Sequence, residues 1–94
     1  MENTRDKVII TVVGKDTVGI IAKVCTYLSE NQINVLDISQ TIVSGFFYMM
    51  MIVDFAATLK AFADIADDLD ALGEQIGVSI MCQREEIFEM MHRI

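Results

Sequence analysis

The sequence predicts an α+β sandwich in which four antiparallel strands carry two helices on one face, and three observations predict it. Hydrophobic spacing switches between a period of two and a period near 3.6 in the order strand, helix, strand, strand, helix, strand. Ser44-Gly45 separates two alternating runs as a tight hairpin would. Ninety-four residues, 53% of them apolar and none of them proline, suit one small domain with a real core and no linker.

The elements follow in order. KVIITVV at 7–13 is rich in β-branched residues and sets Val8, Ile10 and Val12 on one face against Ile9, Thr11 and Val13 on the other. From Gly19 the period lengthens: Ile20 or Ile21, Val24, Leu28 and Asn31 mark the turns of a helix over Val18 to Asn31. Asp16 or Thr17 is placed to cap its start, and Asn31 to take a left-handed conformation at its end. In INVLDISQTIV at 33–43, Leu36, Ile38 and Ile42 alternate with Asp37, Ser39 and Thr41, and Val35 falls on the wrong side of the count. A bulge near Val35 reconciles it. The partner strand of the hairpin is FFYMMMIVDF at 46–55.

In TLKAFADIADDLDALGEQI at 58–76 the residues Leu59, Phe62, Ile65, Leu69, Leu72 and Ile76 step by three or four, with Thr58 placed as a cap. Asp64, Asp67, Asp68, Asp70 and Glu74 lie on the other side, read as a solvated face. Gly77 ends this helix and VSIMCQ at 78–83 supplies the fourth strand. The sequence thus divides into a domain over 6–83 and a tail over 84–94 whose Ile87, Phe88, Met91 and Ile94 predict a short C-terminal helix. A helix of that length needs support from this subunit or another.

Right-handed crossovers turn this order into a ferredoxin-like βαββαβ sandwich, which leaves one sheet face without helices. The third strand is apolar on both sides, Phe47, Met49, Met51 and Val53 against Phe46, Tyr48, Met50 and Ile52, so one stripe is left for association. A homodimer or higher oligomer, through the open face or an edge strand, is the expectation.

Composition removes several functions. Seven basic residues against fourteen acidic ones give a net charge of −7, which opposes nucleic-acid backbones and anionic membranes. The N-terminal MENTRDK lacks the pattern of a secretory signal, and the apolar run FFYMMMIV is too short for a membrane span, so a cytoplasmic location is expected. Cys25 and Cys82 have no Cys or His at metal-ligand spacing, the acidic residues do not match a calcium loop, and the single His92 lies far from both cysteines. No metal, cofactor or catalytic constellation is expected, and the chain is read as a non-enzyme. Asp16, Asp37 and Asp54 are isolated carboxylates.

The stretch GKDTVGII at 14–21 carries the remaining chemistry. Two glycines five positions apart at a strand-to-helix junction suggest a phosphate loop, but Ile20 and Ile21 stand where Lys and Ser or Thr are required, and Asp16 would repel a polyphosphate. The helix start still offers unpaired N–H groups at Gly19, Ile20 and Ile21 to one small carboxylate. Asp16 then suits an ammonium group, and Asn34, taken to enter the second strand nearby, adds a donor and an acceptor. Anion and cation together describe a free amino acid. On the residues alone a second reading stands beside it: the glycines only shape the turn, Asp16 only caps, and Asn34 only satisfies loop backbone.

The run GKDTVGIIAKV, then Asn34-Val35-Leu36-Asp37-Ile38-Ser39-Gln40, then FYMMMIVD at 47–54, resembles the ACT domain family over residues 6–83. That family's usual D-x-P-G turn and N-I strand start are matched by Asp16, Val18, Gly19, Ile20 and by Asn34, Val35, with Val18 replacing proline and Val35 replacing isoleucine. The likeness is to small free-standing ACT proteins and to the domains of the glycine cleavage system repressor and of formyltetrahydrofolate deformylase. It implies a regulatory module binding an amino acid or related small molecule at a dimer interface and signalling through a partner protein. Asp16, Val18, Gly19, Ile20 and Asn34 are the implied ligand residues. The alternative is a ligand-free interaction module that uses the apolar sheet face and the C-terminal tail.

Overall fold

A computed structural model describes residues 6–15 and 17–84 of the chain. The elements are β1 (Lys7–Lys15), α1 (Ile20–Glu30), β2 (Asn34–Val43), β3 (Phe46–Asp54), α2 (Phe62–Ile76) and β4 (Val78–Arg84). The strands form one antiparallel sheet in the order β2-β3-β1-β4, so β2 and β4 are its edges. This is the βαββαβ sandwich the hydrophobic spacing predicts.

Strand alternation decides which side chains meet the helices. Val8, Ile10 and Val12 of β1, Phe47, Met49, Met51 and Val53 of β3 and Ile80 of β4 form one buried cluster with Ile20, Val24 and Leu28 of α1 and Ile65 and Leu69 of α2. The alternate residues of β3 face away from it: Phe46 is 56% and Tyr48 46% exposed. The expected bulge sits between Val35 and Asp37, where the pairing with β3 shifts by one residue. It returns Val35 to the core side, and Asp37 Oδ1 accepts the Ile38 N–H at 2.8 Å. Ser44 and Gly45, with φ of 52° and 80°, make the tight hairpin whose two left-handed positions match the strand twist.

The helix ends depart from the sequence reading. α1 begins at Ile20 rather than Val18 because Gly19 sits at φ 90°, outside helical geometry, and no side chain among the described residues caps it. Thr17 therefore does not serve as the cap, and Asp16 lies outside the described residues. At the other end Asn31 has φ −106°, and Gln32 at φ 62° takes the left-handed position expected of Asn31. Ile33 N–H to Leu28 O (2.9 Å) and Gln32 N–H to Ser29 O (3.2 Å) then close a Schellman motif, with Asn31 Nδ2 donating to Tyr27 O at 2.9 Å.

α2 begins at Phe62, three residues later than the start of its apolar spacing at Leu59, with Ala61 in extended geometry and no side-chain cap. The chain uses 55–61 to climb from sheet to helix layer: Phe55 N–H ties back to Asp6 O at 2.8 Å and Thr58 N–H to Phe55 O at 3.2 Å. Leu59, counted with the apolar stripe, is consequently 99% exposed. Gly77 at φ 79° ends α2 as expected. Arg84, assigned to the tail by sequence, closes β4 and sets its guanidinium 4.6 Å from the Phe62 ring centre. The rest of the tail, including the expected C-terminal helix and His92, lies outside the described residues.

Candidate functional site

Because β1 ends in Gly14-Lys15 and the chain must reverse into the helix layer, residues 17–19 lie over the end of the sheet where Phe47 and Ile42 stand side by side. A cavity of about 480 Å³ opens there, with Thr17, Gly19 and Ile20 on one side and Gln40, Ile42 and Phe47 on the other. Gly19 carries no capping side chain, so the N–H groups of the first turn of α1 are directed to whatever occupies this end. A Cβ on Gly19 would stand 4.0 Å from Lys23 Cε, which brings this lysine alongside the positive end of the helix dipole. The walls are otherwise apolar, apart from Thr17 and the Gln40 amide.

The sequence-derived residues are distributed unequally around this cavity. Gly19 and Ile20 line it, Ile20 being 2% exposed and anchored in the core. Val18 does not line it and is 98% exposed. Asn34 is not near it. The β1–β3–β2 register aligns Lys15, Phe46 and Val43 at one end of the sheet and Lys7, Asp54 and Asn34 at the other, about 27 Å away at strand rise. Asn34 instead lines a second cavity of about 480 Å³ at the far end of α1, with Cys25, Leu28, Gln32, Val35 and Ala57. The placement of Asn34 beside the turn is thus overturned within one chain, because α1 carries the backbone the full length of the sheet before β2 begins.

Gln40 and Ile42, which line this cavity, and Lys23, which stands beside Gly19 but lines a neighbouring cavity, were missed. A signal was available for two of them: counting back from Ser44-Gly45 sets Ile42 opposite Phe47 and Gln40 opposite Met49, on the helix side and at the end where β1 stops. Both cavities border β2, an edge strand with exposed apolar residues: Leu36 is 46%, Ile38 43%, Ile42 59% and Val43 61% exposed. Asp37 and the bulge beside it protect the start of this edge against strand pairing, but the stretch from Ile38 to Val43 carries no charge, proline or bulge.

Other chemistry-bearing groups are occupied locally. Asp54 Oδ1 accepts the Ala56 N–H at 2.8 Å. Asp68, placed by sequence on a merely solvated face, accepts from Tyr27 Oη at 2.5 Å and from Lys60 Nζ at 2.6 Å. The Lys60 and Tyr27 hydrogen bonds hold its carboxyl below the usual range, while burial, and then Asp68, push the Tyr27 phenol up. Cys25 and Cys82 are free thiols, and burial, then Asp70, push Cys82 up to about 11, which leaves it protonated and inert at neutral pH. Among the described residues there is no cluster suited to a metal ion and no helix long and apolar enough to cross a membrane.

Known proteins share this architecture. A UPF0237 protein of Bifidobacterium longum is 65% identical over 89 residues, covering 95% of this chain and 99% of its own length. The solved ACT domain protein of Streptococcus pneumoniae is 40% identical with a TM-score of 0.78, covering 88% of this chain and 93% of its own. A putative glycine cleavage system transcriptional repressor superimposes with a TM-score of 0.69 at 23% identity, over 83% of this chain and 44% of its own, a likeness of fold. The sequence model of the ACT domain matches residues 6–83, and the chain belongs to the ACT domain family.

Proposed function

We propose that this chain is a non-catalytic regulatory module that binds a free amino acid in the cavity at the start of α1, acts as a homodimer and passes the signal to a partner protein. The observation that carries the reading is the Gly19 turn: a helix start without a side-chain cap among the described residues, opening onto a cavity whose far wall is Ile42 and Phe47 with the Gln40 amide. Its N–H groups and Lys23 suit an α-carboxylate, Asp16 an α-ammonium group, and Ile42 and Phe47 a small side chain.

Asn34 enters this site from a second copy. Two β2 edges paired antiparallel about a two-fold axis extend the sheet and keep both helix layers on one side. The Val43 end of one strand, with the Gly19 cavity above it, then lies beside the Asn34 end of the other. Binding would tie two subunits together, which gives a small ligand a means of altering an assembly. Val18 contributes through the turn's backbone rather than its side chain. Thermal unfolding against a panel of free amino acids tests the reading: a ligand at 100 times its dissociation constant adds about 2.7 kcal/mol. No rise with any amino acid would count against it.

The exposed β2 residues and Phe46 favour a second reading, a ligand-free interaction module that docks a partner protein through the apolar sheet and the tail. Capture of a partner that ignores amino acids and is lost on truncating 87–94 would select it.

A further inference from the structure

Ile9 is 4% exposed, yet it lies on the sheet face opposite both helices and outside the core cluster. Its neighbours on that face, Ile52 of β3 and Gln83 of β4, are also partly buried. Further along the same face the protection is lost: Val13 is 41%, Tyr48 46% and Met81 55% exposed. Lateral neighbours do not account for the contrast. Thr11 is smaller than Ile9 and is flanked by Met50 and Met81, and it is still only partly buried. Burial on this face is confined to the half at which β4 ends, where Arg84 stands opposite Val8 with residues 85–94 still to follow.

We propose that residues 85–94 cover this half of the open face in their own chain, as a short amphipathic helix laid across β1 and β3. At helical spacing Ile87, Phe88, Met90, Met91 and Ile94 share one side, and Glu85, Glu86, Glu89, His92 and Arg93 the other. The reach is right. Crossing from β4 to β3 takes about 10 Å, and ten helical residues span about 15 Å. The same segment is too short to reach the far end of the face, in keeping with the exposure of Val13 and Tyr48. Eight to ten residues do not hold a helix in water, so the segment gains its structure by packing on Ile9 and Ile52. The tail then denies the open face to a second copy and leaves the β2 edge for association.

Methyl NMR on the full chain tests this. With isoleucine and methionine methyls labelled, cross-relaxation between Ile87, Met91 or Ile94 and Ile9 or Ile52 is expected, and is expected to vanish in an isotope-filtered mixture of labelled and unlabelled chains. Absence in the first sample, or persistence in the mixture, would overturn the proposal. In a Phe88→Asp/Met91→Asp chain that remains folded, a soluble paramagnetic chelate should relax the Ile9 methyl severalfold faster than in wild type; an unchanged rate would also overturn it.

Discussion

Gly19 and Asn34 stand at opposite ends of one sheet: β1 stops at Lys15 just before Gly19, β2 starts at Asn34, and the register through β3 sets the two termini eight strand positions apart. No ligand the size of an amino acid touches both within one chain. A site built from the two therefore needs two chains, and the edge strand that separates the two cavities is the element on which they would meet.

The first prediction isolates ligand from fold by pairing two glycines. Gly19 and Gly77 have φ of 90° and 79°, and a Cβ at either meets nothing closer than 4.0 Å. Gly19→Asp and Gly77→Asp should each lose about 1 kcal/mol of stability to left-handed geometry alone. Amino-acid-dependent stabilisation should survive in Gly77→Asp and be lost in Gly19→Asp, as read by thermal unfolding.

Edge pairing gives the second. Ile38 lies mid-strand on β2 and is 43% exposed, so Ile38→Lys should leave the fold intact at a cost of about 1 kcal/mol. A lysine there opposes strand addition. Light scattering should show wild type as a dimer at micromolar concentration and the variant as a monomer, with ligand affinity reduced at least about tenfold as Asn34 of the second copy is withdrawn.

The third concerns pH and the Tyr27–Asp68–Lys60 group. Asp68 has a depressed folded-state pKa, chiefly from Lys60 and then Tyr27, so its contribution is present above the ordinary aspartate range and is lost as pH falls through the folded value, below 3.8. Tyr27 has a raised one, chiefly from burial, so its contribution is present below 10 and is lost as pH rises beyond it. Stability should be flat in this respect between those limits. Tyr27→Phe should remove the alkaline loss and soften the acid one, Lys60 still holding Asp68, as followed by chemical denaturation across pH.

The core offers a fourth. Leu69 is fully buried in the cluster, and Leu69→Ala should cost about 2–5 kcal/mol. Leu59→Ala, although it belongs to the same run of apolar spacing, should change stability by less than about 0.5 kcal/mol, since Leu59 is in solvent. Urea denaturation of the two variants distinguishes them.

That pair also shows what the sequence could and could not reveal. Periodicity located every strand and both helices, because burial on one face is written in the spacing of Val8, Ile10 and Val12 or of Ile65, Leu69 and Leu72. It placed the bulge at Val35 and the hairpin at Ser44-Gly45 for the same reason. Helix starts were misread because Leu59 has the right spacing but lies in the climb from sheet to helix layer, and because Gly19 displaces the cap that Thr17 would provide. The candidate site was legible only in its local half. Gly19 and Ile20 are adjacent in sequence and line one cavity, whereas the distance to Asn34 follows from the strand register. The roles of Gln40 and Ile42 follow from that register too, and the Tyr27–Asp68 bond spans 41 positions with no local signature.

The proposal that two chains share one site makes one measurement decisive. Gly19→Asp and Asn34→Ala chains, each alone, should bind no amino acid detectably by calorimetry. Mixed and allowed to exchange, they form heterodimers in which one of the two sites joins an intact turn from one subunit with an intact Asn34 from the other. Random exchange should restore binding at wild-type affinity and about a quarter of wild-type stoichiometry. A mixture that remains silent while mass spectrometry shows heterodimers would contradict the two-chain site.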